Sequence, residues 1–167
     1  SRMCANVLCL LALFVFFSAA VVTAQAAAVD ANDVLDWNQV FVDTLIATST
    51  PNSSSQRLGA IVHTAIFDAY NGIERRYEPI YVQETAPRGA SRRAAVIAAA
   101  YAALLGLFPA RQPALDASYA ASIARLSDDG EDGGQSRDLG LSWGAHVAAA
   151  VLAWRSVDGF SVSYPPF

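Results

Sequence analysis

SRRAAVIAAAYAALLGLF, from Ser91 to Phe108, is an alanine-rich run with a capping residue at its head and Pro109 just beyond its end. Alanine carries the highest intrinsic helix propensity, and Ser91 is a good N-cap residue for a helix from Arg92 to about Phe108. Ala95, Ala98, Ala99, Ala102 and Ala103 let a neighbouring helix approach closely, Val96, Leu104, Leu107 and Phe108 supply bulk, and Pro109 stops the helix.

Working outward, the same 3.6-residue spacing recurs on both sides. A first helix starts at Asn32 or Asp33 and runs to about Ser49, with Val34, Trp37, Phe41, Leu45 and Thr48 on one stripe, and Thr50-Pro51-Asn52 ends it. Ser53-Ser54-Ser55 form the capping cluster of a second helix. Its buried face is Leu58, Ile61, Val62, Ala65, Ile66, Ala69 and Ile73, and its end falls at Asn71-Gly72 or, with the last turn extended, at Ile73-Glu74. Arg75 to Gly89 has no period, but Tyr77, Pro79, Tyr81 and Pro87 mark it as an ordered loop.

Beyond Pro109, Pro113 opens a fourth helix to about Leu126, aligning Leu115, Tyr119, Ile123 and Leu126. The acidic turn Ser127–Gly134 follows. A fifth helix spans about Ser136 to Val157, with Leu139, Trp143, Val147, Ala150, Val151 and Trp154 inward and Gly140 and Gly144 admitting a neighbouring backbone. Asp158-Gly159 closes it. No stretch shows sustained period-2 alternation, so the expected fold is all-α, a bundle of about five helices.

The 167 residues allow one domain of ordinary size. Of the first 26 residues 20 are apolar, and Val7–Val22 is interrupted only by Ser18. This run is shorter than the roughly 20 residues that span a bilayer, and Ala24-x-Ala26 suits signal peptidase. The expectation is therefore a secretory signal peptide over residues 1–26, starting at Met3 and cleaved after Ala26 or Ala28, which leaves no membrane span and places the chain in the periplasm or outside the cell; the alternative is a retained N-terminal anchor helix.

Cys4 and Cys9 both lie in that segment, so the mature chain has no cysteine ligand or disulfide. It carries ten arginines and no lysine against fifteen acids, a net of −5. That balance argues against a nucleic-acid partner, which needs a basic face.

Candidate chemistry is sparse. His63 and His146, the only histidines, sit mid-helix in apolar surroundings without an i+4 His, Asp or Glu, and are read as structural. Asp68 lies five residues beyond His63, about 140° round the helix. Asp68, Asn71 and Arg57 are expected to cap or bridge neighbouring helices. Asp128, Asp132 and Gly133 match three positions of a calcium loop, but Gly130 and Leu139 stand where a ligand and the bidentate carboxylate are needed, so the turn is read as a solvated connection.

Arg75-Arg76 and Arg92-Arg93 offer planar donor forks to an oxyanion, with salt bridges as the default use. Asn52-Ser53-Ser54 is a formal glycosylation sequon, discounted because the alanine-rich, lysine-free composition points to a high-GC bacterial host. There is no phosphate loop, nucleophile elbow or carboxylate pair at helical spacing, and no residue is assigned a catalytic, cofactor-binding or metal-ligating role.

An ordered set of strings resembles the N-terminal helical region of bacterial vanadium-dependent haloperoxidases. The set is Trp37-Asn38; Arg57 with the run Ala60–Asn71; Tyr77-Glu78-Pro79; Ser91 and Ala94-Ala95-Val96; Ala100-Tyr101, Leu104 and Leu107-Phe108-Pro109; then Gly140, Gly144, Val147-Ala148, Val151-Leu152, Arg155 and Asp158-Gly159-Phe160. It covers nearly all of residues 33–160.

The resemblance implies membership of the wider superfamily of type-2 phosphatidic acid phosphatases and bacterial acid phosphatases. Their active site is a Lys and an Arg, then a Ser-Gly-His triplet, then an Arg and a His, all in the C-terminal half. The pocket takes phosphate as substrate or vanadate as cofactor, both tetrahedral oxyanions. The haloperoxidases use vanadate and hydrogen peroxide to oxidise halide.

This chain has no lysine and no Ser-Gly-His. The expectation is therefore that residues 27–167 are the N-terminal helical region of such an enzyme, truncated before its catalytic half: a scaffold whose parent is a peroxidase. The alternatives are a fragment of a related acid phosphatase hydrolysing phosphomonoesters, or an exported non-enzymatic helical module that binds a partner.

Overall fold

The computed structural model describes residues 32–128 and 134–160. The signal-peptide reading with Cys4 and Cys9, and most of the acidic turn with its calcium reading, fall outside the described residues. Within them the chain is all-α. Five helices occur in the order α1 (Asp33–Ala47), α2 (Asn52–Glu74), α3 (Arg92–Leu107), α4 (Gln112–Asp128) and α5 (Gly134–Arg155), with a 3₁₀ turn at Pro109–Arg111.

α3 is the central element. Every residue from Ala94 to Ala100 is buried, as expected of a helix that is apolar on all sides. Ser91 caps it as its residue type predicts, its side chain accepting from the Ala94 amide. The alanines let α5 approach closely. A Cβ on Gly144 would lie 2.2 Å from the Ala95 carbonyl oxygen, and one on Gly140 would lie 2.4 Å from that of Ser91. Both glycines therefore serve as the backbone-contact positions that their spacing announces. α2, α4 and α1 pack round the same helix, and a single cluster containing Trp37, Ile97, Leu104, Leu115, Leu126 and Val151 forms the core.

Helix ends correct two expectations and decide a third between its alternatives. α1 stops at Ala47 rather than Ser49, because Ser49 takes a left-handed conformation (φ 50°). α2 begins at Asn52, not after the serines. The Pro51 carbonyl accepts the Ser54 and Ser55 amides at 2.9 and 3.1 Å, which draws the three serines into the first turn. At its other end α2 runs through Asn71-Gly72 to Glu74, and Arg75 closes it in the left-handed region. Gly72 stays helical and makes room for a ring, since a Cβ there would meet Trp143 Cζ2 at 2.5 Å.

The α1 stripe is also rotated from the expected one. Val34 and Thr48 face solvent, while Asp33 and Thr44 are buried beside Trp37 and Phe41. Asp33 is drawn inward by Arg93 at 2.7 Å. Thr44 satisfies its hydroxyl on the Val40 carbonyl at 2.7 Å. Among the described residues no single helix is long and apolar enough to cross a membrane.

Candidate functional site

The polar residues singled out in the sequence are placed by the fold in three groups. The first pins the α2–α3 loop. Asp68 is 1% exposed, and its carboxylate accepts three consecutive backbone amides, Ile80 at 2.8 Å, Tyr81 at 2.8 Å and Val82 at 2.9 Å. Asn71 lies three residues further along α2. It donates to the Tyr77 carbonyl at 2.7 Å and accepts from the Arg76 and Tyr77 amides. Both residues thus serve the loop rather than a neighbouring helix, correcting that expectation. The loop carries too few regular hydrogen bonds to satisfy its own backbone, and the two α2 side chains supply them.

The second group ties α2 to the end of α5. The Arg57 guanidinium donates to Asp158 Oδ2 through Nε at 3.0 Å and through Nη2 at 2.8 Å, and Nη2 also reaches the Arg155 carbonyl at 2.9 Å. Arg155 adds a second ion pair to the same oxygen at 2.7 Å. The Phe160 amide, then Arg57 and Arg155, hold the Asp158 carboxyl below its ordinary pKa. Arg57 therefore bridges elements, as expected.

The third group is at the helix ends. Arg92 pairs with Glu74 at 2.7 Å, Arg93 with Asp33 at 2.7 Å, Arg125 with Asp36 at 2.8 Å and Arg76 with Glu74 at 3.8 Å. Three of the four arginines considered for an oxyanion thus pair with carboxylates.

The histidines part company. His63 is half-buried and meets Asn38 Oδ1 at 3.1 Å. His146 is not in apolar surroundings. Its side chain is 50% exposed and sits 2.7 Å from Glu84 Oε2, with the Trp143 ring at 5.6 Å. The i+4 stripe logic misplaced it because α5 is covered on one side only. Among the described residues no group of three or more His, Cys, Asp or Glu could hold a metal ion.

Clefts accompany these groups, one of about 230 Å³ beside Asn71 and Tyr77. A second, of about 130 Å³, lies between α2 and α5, lined by Ala60, Ile61, Thr64, Val151, Trp154 and Arg155. Another, of about 330 Å³, lies between α1 and α4, where Arg125 and Asp36 neutralise each other.

Sequence reasoning missed one pair. The Tyr101 hydroxyl of α3 donates to Asp116 Oδ1 of α4 at 2.6 Å. The signal that could have found it is the i, i+3 spacing of Asp116 and Tyr119, which puts both on one face of α4. No family model, no curated protein and no solved structure matches the chain.

Proposed function

We propose that this chain is the N-terminal helical scaffold of a secreted vanadium-dependent haloperoxidase-like enzyme, whose catalytic residues lie outside it. The observation that carries the reading is that residues of the resembling strings, far apart in sequence, meet in space. Arg57 grips Asp158 across 101 positions. Gly140 and Gly144 lie against Ser91 and Ala95. Contacts between the strings support the reading.

The cofactor itself does not fit these residues. Vanadate needs a cluster of cationic and hydroxyl donors. Here the chain has no lysine and no Ser-Gly-His, and Arg57, Arg92, Arg93, Arg125 and Arg155 already face carboxylates. No step of halide oxidation is assigned to this chain, and its contribution is rigidity. Asp68, Asn71 and the Arg57–Asp158 clamp fix one loop and one helix end, the kind of support on which a preorganised site depends.

The test is an assay of the complete reading frame for peroxide-dependent bromination with and without vanadate, beside phosphomonoester hydrolysis. Vanadate-dependent bromination is the expected result. Hydrolysis alone would assign the parent to the phosphatases.

A further inference from the structure

Three aromatic rings form a continuous path from the core to the α3–α4 seam. Trp37, which is 0% exposed, meets Tyr101 edge-on with centroids 6.4 Å apart, and Tyr101 stacks on Tyr119 at 4.4 Å. Such contacts are close enough for direct electron transfer between rings. The three differ in where a proton can go. Among the described residues the buried Trp37 indole N–H has no hydrogen-bond acceptor. Tyr101 hands its hydroxyl to the Asp116 carboxylate at 2.6 Å, a short charge-assisted bond. Among the described tyrosines it alone donates to a carboxylate.

We propose that Tyr101 is a one-electron oxidation site with Asp116 as its base. An external one-electron oxidant takes one electron from the ring path. The Tyr101 O–H bond breaks, its proton forms a new O–H bond on the Asp116 carboxylate, and a neutral tyrosyl radical remains while the oxidant is reduced by one electron. A hole that starts on Trp37 is filled by an electron from Tyr101, because the phenol has a base in contact for its proton. The pair thus collects oxidising equivalents from the core and settles them at one residue.

The experiment is flash oxidation of the purified protein with photogenerated tris(bipyridine)ruthenium(III), read by electron paramagnetic resonance with ring-deuterated tyrosine. Wild type gives a tyrosyl signal whose formation rate does not depend on buffer-base concentration. Tyr101→Phe loses most of that signal, and Tyr119→Phe keeps it. Asp116→Asn retains a carbonyl for the phenol but no base, so its radical forms several-fold more slowly in dilute buffer and speeds up with added buffer base. Asp116→Glu restores buffer independence. An unchanged signal in Tyr101→Phe, buffer independence in Asp116→Asn, or buffer-dependent formation in wild type itself would overturn the assignment.

Discussion

At the residue scale, Asp68 carries the greatest structural weight. One buried carboxylate organises three amides, so Asp68→Asn removes the charge and turns an amide NH₂ toward backbone donors. The expected cost is about 2–4 kcal/mol in denaturant unfolding, with hydrogen exchange accelerated at Ile80, Tyr81 and Val82. Tyr101 offers a second reading. Its bond to Asp116, then burial and the nearby charge, push its phenol up to about 12 from 10.0. Because the folded pKa is the higher one, the stability this linkage adds is complete below about pH 10 and is lost as pH rises toward 12. Spectrophotometric titration should show one tyrosine ionising last, and Asp116→Asn should bring it back among the others. Asp158 has the opposite sign. Its lowered pKa adds stability above the usual carboxylate range that disappears on acidification, so Asp158→Asn should flatten the acid limb of a stability profile. The role of Asp68 was not legible locally. A carboxylate on α2 shows its residue type in the sequence, but the amides it serves lie 12 to 14 positions away.

At the scale of elements, the α3–α5 seam was legible and the α1 face was not. Gly140, Gly144 and the alanines of α3 declare close packing through their lack of side-chain volume. A Cβ on Gly144 would meet backbone, which cannot swing aside, so Gly144→Ala should cost roughly 2–3 kcal/mol or more in a thermal or denaturant melt. Gly134 has open space around it, and Gly134→Ala should be neutral or stabilising by up to about 1 kcal/mol. Equal losses at the two positions would mean that helix propensity, not packing, sets the cost. On α1 the periodicity assigned the right helix but the wrong edge of its buried stripe. Charge pairing of Asp33 with Arg93 and Arg125 outweighed the apolar count that favoured Val34. The early start of α2 has a similar cause: serines are good caps, but the Pro51 carbonyl reached the helix first.

At the scale of the whole molecule, the sequence announced an all-α chain because its helices are long and well punctuated, while the placement of its polar groups had to await the fold. Large apolar side chains remain outside the core: Leu35 and Ile46 on α1, Tyr77 and Ile80 on the loop, and Val157 and Phe160 after α5. A scaffold that belongs to a larger enzyme should show this surface when expressed alone. Residues 27–167 are expected to bind an apolar-surface dye and to self-associate with rising concentration, whereas a dye-silent monomer with one cooperative transition would favour the exported binding module. The most direct measurement is vanadate-dependent, peroxide-dependent bromination by the complete reading frame, run beside residues 27–167 alone. The expected result is halide oxidation that requires vanadate in the former and none above a blank in the latter. Bromination by residues 27–167, or its absence from the complete frame under conditions where a reference haloperoxidase is active, would contradict the account.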